Sequence, residues 1–112
     1  MNNAAAATIA SLTVANGGAT FTAEGELVTS GFSVAGVAPA LRLAVEDFTP
    51  AAVLAVVARF AGAGFFGTWI EEGEVWIEPT NVLADADEAH ALAEARGEIA
   101  YYDLDNLAEI RL

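Results

Sequence analysis

The chain has no lysine and no cysteine, and its only cations are Arg42, Arg59, Arg96 and Arg111, with a single histidine at His90. Without cysteine there is no disulfide, no thiolate nucleophile and no Cys-ligated zinc. Four arginines against sixteen carboxylates make nucleic acid an unfavourable direct partner, because phosphate binding draws its affinity from Lys and Arg. An anionic membrane surface is disfavoured for the same reason. Long apolar runs are missing too. Phe48 to Ile70 comes nearest to a membrane span, but Arg59 sits in its middle and Gly62, Gly64 and Gly67 break its second half. Neither part reaches the roughly 18–20 apolar residues a span needs. Residues 1–23 carry no charged side chain, so the positive start of an export signal is absent. These absences predict a soluble cytoplasmic protein with no membrane partner.

What the chain does have is acid, unevenly placed. Glu24, Glu26 and Arg42 leave residues 1–45 at −1, whereas residues 46–112 set fourteen carboxylates against three arginines and reach −11. A summed charge of one sign governs long-range attraction and repulsion, so this imbalance is the feature best suited to selecting a partner. Adaptation to high salt also produces such an excess. Alanine fills 26 of the 112 positions, so the 55% hydrophobic content overstates the core-forming side chains. High Ala and Arg without Lys fit a GC-rich coding bias. The length suits one domain with its own core.

Alternation of Thr8, Ala10, Leu12 and Val14 against Ile9, Ser11 and Thr13 predicts a strand, with residues 1–7 frayed. Asn16-Gly17-Gly18 then reverses the chain into a strand over 19–23. Extended segments follow at 27–37 and 41–45. Thr49 as N-cap, Pro50 at the first helical position and an apolar face of Val53, Val56, Val57, Phe60 and Ala61 predict a helix ended by Gly62 or Gly64. Residues 65–71 and 74–78 read as a hairpin about Glu72-Gly73, pairing Ile70 with Val75, Thr68 with Ile77 and Trp69 with Trp76. Glu71 opposite Glu74 is a like-charge pair, expected to point into water. Asp85 and Glu88 start a second helix and Gly97 ends it, with Ala89, Leu92, Ala93 and Arg96 on one side. Strands at 99–102 and 108–112 close the chain around Asp103-Leu104-Asp105-Asn106. The expected fold is a single α+β domain over 1–112, a largely antiparallel sheet with two helices packed on it.

Three patches carry a resemblance: Thr29-Ser30-Gly31-Phe32-Ser33-Val34, Gly67-Thr68-Trp69, and the closing run from Ala91-Leu92-Ala93 through Gly97-Glu98-Ile99-Ala100-Tyr101-Tyr102-Asp103 to Glu109-Ile110. Across most of residues 20–112 this layout resembles small proteins of unknown function from actinobacterial phages and mobile elements. The resemblance implies an accessory protein of a mobile element, acting in the host cytoplasm. It brings no catalytic residues with it.

Chemical motifs are weak. Gly62-Ala63-Gly64-Phe65-Phe66-Gly67 spells G-x-G-x-x-G, but it follows a helix and opens a strand, the reverse of a dinucleotide site. Asp85-Ala86-Asp87 and Asp103-Leu104-Asp105-Asn106 resemble fragments of calcium loops. The first has Ala89 where a ligand belongs and the second lacks the central glycine, so capping and turn formation explain them better. His90 has no second histidine, cysteine or nucleophile motif beside it and reads as a surface helix residue. No catalytic residue, metal site or cofactor is expected.

The sharpest local feature is the hairpin face of Trp69 and Trp76 with Glu71, Glu72, Glu74 and Glu78. At least one tryptophan is expected to be buried, since large aromatics usually are. Exposed, the pair would anchor a protein partner. The leading expectation is a non-enzymatic interaction protein that meets a basic protein surface through this patch and the outward side of the second helix, for instance as a nucleic-acid-mimicking inhibitor. One alternative is a small-ligand binder or carboxylate enzyme on the Trp/Glu face. Another is a homo-oligomer whose acidity only maintains solubility.

Overall fold

The computed structural model describes residues 1–112, in the order α1 (Asn3–Asn16), β1 (Gly18–Thr22), β2 (Phe32–Val34), β3 (Leu41–Ala44), α2 (Pro50–Arg59), β4 (Phe65–Glu71), β5 (Glu74–Leu83), α3 (Ala86–Ala95), β6 (Ala100–Asp103) and β7 (Ala108–Arg111). All pairings are antiparallel, and the strands run β1-β4-β5-β2-β6-β7 with β3 also on β5. No helix is long and apolar enough to cross a membrane. The α+β class with an antiparallel sheet is as expected, but the helices number three rather than two.

The sheet is organised by β5. One edge pairs with all of β4 over Glu74–Thr80. The other edge is shared: β3 lies against Glu74–Ile77 and β2 against Asn81–Leu83. Residues 35–40 detour around the gap between them, beside Glu78.

The sheet must curl. After β1 the chain doubles back along its free edge, where Leu27 bridges Phe21 and the Val28 N–H donates to Thr20 O. It enters β2 at Phe32, on the far side of β4 and β5. Four strand spacings of about 4.8 Å would separate these points in a flat sheet, roughly 19 Å. Four residues of extended chain reach only about 14 Å. Curling the sheet brings Val28 and Phe32 within reach of each other.

Directly opposed residues share a face, and faces alternate along a strand. On the convex face Phe21, Phe66, Val75 and Ile77 join Ala6 and Ile9 of α1 with Val53 and Val56 of α2 in the main core. Further along the same face Val34 and Tyr101 pack with Ala89 and Ala93 of α3. Alanines at these contacts let the helices approach closely. The concave face carries Trp69, Trp76, Glu78, Thr80 and Ser33, with no helix over it. Thr20, Ser33, Glu78 and Thr80 are nonetheless buried, and the Ser33 and Thr80 hydroxyls lie 2.9 Å apart.

The N-terminal expectation is overturned. Residues 3–16 form a helix, so neither the strand over 8–15 nor a frayed 1–7 is found. Asn2 Oδ1 caps the Ala5 N–H at 2.8 Å, and Gly17, at φ 86°, ends the helix by donating to Thr13 O. The alternation of Thr, Leu and Val suggested a strand, but the preceding alanines are the strongest helix formers, and Ala6, Ile9, Ala10 and Thr13 recur at helical spacing on the buried side. The Thr13 hydroxyl donates to Ile9 O and lies 2.6 Å from the Thr68 hydroxyl, tying α1 to β4.

The other helices follow the expected start signals with one difference. Asp85 accepts from the Asp87 and Glu88 N–H groups, whereas the Thr49 side chain makes no capping bond and α2 begins on Pro50 alone. Of the extended segment expected at 27–37, only Phe32–Val34 and the Leu27 bridge pair. The remaining residues route the chain around the curl.

Candidate functional site

Glu72 and Gly73 adopt φ 50° and 78°, the two left-handed residues of a tight hairpin turn. This turn sets the register in which Trp69 faces Trp76 and Glu71 faces Glu74. The indole rings meet edge to face, with centroids 5.7 Å apart. Each is flanked by an arginine brought from elsewhere in the sequence. Arg42, opposite Trp76 on β3, lies 4.3 Å over the Trp76 ring and bonds Glu74 Oε1 at 2.7 Å. Arg111, at the end of β7, lies 5.9 Å from the Trp69 ring and bonds Glu71 Oε2 at 3.2 Å while also pairing with Glu109. Glu74, Arg42, Trp76, Trp69, Arg111 and Glu71 thus form one chain of contacts across the concave face.

The hairpin does not hold its opposed carboxylates by pointing both into water. Each has its own arginine, which offsets the repulsion of a directly opposed like-charge pair. Neither tryptophan is fully buried, and no helix covers them. Of the six residues singled out from the sequence, Trp69, Glu71, Glu74 and Trp76 come together. Glu72 stands apart, exposed at the turn. Glu78 has no part in those ion pairs; it is buried, 8% exposed, and meets Trp76 only at a neighbouring hollow.

Glu78 lies where β2 and β3 leave the edge of β5 open. Its Oε1 accepts from the Gly36 N–H at 3.1 Å, and it lines a hollow of about 430 Å³ with Gly36–Ala40, Trp76, Arg96 and Glu98. Burial pushes its carboxyl up to about 7; the Gly36 hydrogen bond opposes the rise and the Glu98 charge adds to it. Glu98 is itself raised, chiefly by burial and against the pull of Arg96. Arg96 is engaged elsewhere, donating to Val34 O and Ala35 O at 3.3 and 3.0 Å and to Asn81 Oδ1 at 2.6 Å. Gly36, at φ 89°, is required here: a Cβ would lie 3.0 Å from both Arg96 Cδ and Glu98 Oε2. The Trp76 Nε1–H is buried without a partner.

The remaining acids divide by duty. Asp103 closes the final turn on Asn106, and Asp105 Oδ2 accepts from the Gly31 N–H at 3.0 Å, which with Ser30 holds its carboxyl below the usual range. His90 contacts Glu94 through Nε2 at 2.8 Å and the Tyr101 hydroxyl through Nδ1 at 3.2 Å. Asp87 and Glu88 on α3 are exposed and have no cationic partner. No three of His, Asp and Glu come together as a metal-binding group.

Sequence reasoning missed Arg42, Arg111, Gly36 and Glu98 as parts of this face. Arg42 and Arg111 lie on segments read correctly as extended, but their partners depend on pairings made across the whole chain. Gly36 carried a weak signal, a glycine just beyond a strand and before Pro39. The chain matches no protein family, no curated protein and no solved structure.

Proposed function

We propose that this chain is a small non-enzymatic interaction protein, an accessory protein of an actinobacterial phage or mobile element, that presents acid to a basic protein surface in the host cytoplasm. One observation carries the reading. Glu71 and Glu74 are neutralised by Arg42 and Arg111, while Asp87 and Glu88 on α3 meet no arginine. Asp87 and Glu88 thus leave uncompensated acid on the outward side of α3, and Glu94, beside His90, lies two helical turns beyond Asp87. A rigid helix with such charges suits an inhibitor that occupies the nucleic-acid site of a defence or DNA-processing protein. The attraction steers association and weakens with salt. The tryptophan pair braces the scaffold in this reading, and Glu72 at the hairpin tip adds to the acidic rim. The resemblance of the closing strands supports the mobile-element origin.

The test is capture from an extract of the native host at about 50 mM and about 500 mM salt. A basic nucleic-acid-binding protein should be retained at the lower salt and released at the higher, and its DNA binding should fall when this chain is added. Retention of no such protein at low salt overturns the proposal.

A second reading, a small-ligand binder, is favoured by the hollow that joins Trp76 to Glu78.

A further inference from the structure

Glu78 and Glu98 face one hollow, and neither has an ion-pair partner. Glu78 is 8% exposed; one of its oxygens accepts from the Gly36 N–H and the other bonds no protein group. A buried carboxylate without a counter-charge is costly, and its neighbour Arg96 is committed to Val34 O, Ala35 O and Asn81. Val37, Ala38, Pro39, Ala40 and the Trp76 side chain supply the apolar part of the wall. At about 430 Å³ the hollow is within the range of small-ligand sites.

We infer that this hollow binds a single organic cation carried on an aliphatic stem, a primary ammonium or a guanidinium group. The carboxylates of Glu78 and Glu98 hold the head. The segment Val37–Ala40 and Trp76 cover the methylenes, as apolar surfaces do for Lys and Arg stems. An anion would meet two carboxylates, and a neutral apolar ligand would leave Glu78 uncompensated. The inference rests on the small-ligand reading for a free amine and on the interaction reading for a partner's Lys or Arg side chain; the chemistry is shared. It does not depend on the acid face of α3.

Binding is linked to protons, because Glu78 must ionise to hold the cation and its carboxyl sits at about 7. The charged groups around it are Glu98 and Arg96 at the end of α3, and Arg42 over Trp76 with its partner Glu74. The segment Gly36–Ala40 contributes no titratable side chain.

The experiment is an NMR titration of the full chain, following the Trp76 indole N–H and the Glu78 carboxyl carbon. The probes are n-butylammonium, acetyl-Gly-Lys-Gly-amide and acetyl-Gly-Arg-Gly-amide, with n-butanol as the uncharged control. A saturable shift at Trp76 is expected, tightening roughly tenfold or more from pH 5.5 to 8 as Glu78 ionises. Glu78→Gln should remove that pH dependence and weaken binding at pH 8 at least tenfold, and Glu98→Gln should weaken it less. Saturation by butylammonium points to a free amine, and saturation by the peptides alone points to a partner side chain; both uphold the site. Shifts no larger than those with n-butanol, or unchanged binding in Glu78→Gln, overturn it. Because these readouts use no captured protein and no α3 variant, failure here leaves the interaction reading untouched, and failure of host capture leaves the cation site untouched.

Discussion

Arg111 bonds Glu71 at 3.2 Å although β7 lies four strand positions from β4 in the sheet order. A flat sheet would separate them by roughly 19 Å. The contact therefore reports the curl, and with Arg42 on Glu74 it gives each of the two opposed hairpin carboxylates an arginine.

Removing Arg111 should expose Trp69 more than it destabilises the fold. The ion pair is partly exposed, with side-chain exposures of 56% and 21%, so Arg111→Ala should cost less than about 1 kcal/mol in urea unfolding. Tryptophan emission should shift to the red. Replacing Trp69 by Phe in the same background should abolish that shift.

Glu78 should make stability depend on pH in an unusual direction. Its folded-state carboxyl, at about 7, lies above the ordinary glutamate value of 4.5, so between those values the folded chain keeps a proton that the unfolded chain has released. Stability is therefore lost as pH rises through that window and levels off above it. Glu78→Gln cannot lose this proton. Near pH 4.5 it should match the parent; at pH 8 it should be more stable by roughly 3 kcal/mol, measured by urea unfolding across the series.

Helix α1 makes a sharp contrast between neighbouring substitutions. Ile9 is fully buried and Val14 is 58% exposed. Ile9→Ala should cost about 2–5 kcal/mol, and Val14→Ala should stay within about 0.5 kcal/mol. Equal effects, followed by thermal or urea unfolding, would contradict the helix.

Much of this architecture was legible because its signals are local. Pro50 and Asp85 mark helix starts, Gly97 a helix end, and Glu72-Gly73 a turn whose register follows from its length. The first helix was not, because Thr, Leu and Val alternate after a run of alanines and both periods fit until packing selects Ala6, Ile9, Ala10 and Thr13. The candidate site was half legible. The tryptophan pairing is a consequence of the hairpin, whereas Arg42, Arg111 and the burial of Glu78 arise from strand order and from the detour at 35–40. Glu78 looked like one more surface acid because nothing in its neighbourhood in sequence covers it.

Gly36 holds that detour in place. Gly36→Ala puts a side chain at φ 89° and within 3.0 Å of Glu98 Oε2 and Arg96 Cδ. The left-handed conformation alone should cost on the order of 1–2 kcal/mol. With the Gly36 N–H drawn away, the Glu78 carboxyl should titrate higher than in the parent, as read by NMR.

The central claim is that Glu71 and Glu74 are held by arginines within the fold and that α3 presents the acid that meets a partner. Its most direct measurement compares salt-sensitive capture of the basic host protein by two variants, Asp87→Asn/Glu88→Gln/Glu94→Gln on α3 and Glu71→Gln/Glu74→Gln on the hairpin. The account predicts that the α3 variant loses capture at low salt while the hairpin variant keeps it. Capture lost from the hairpin variant and kept by the α3 variant would contradict it.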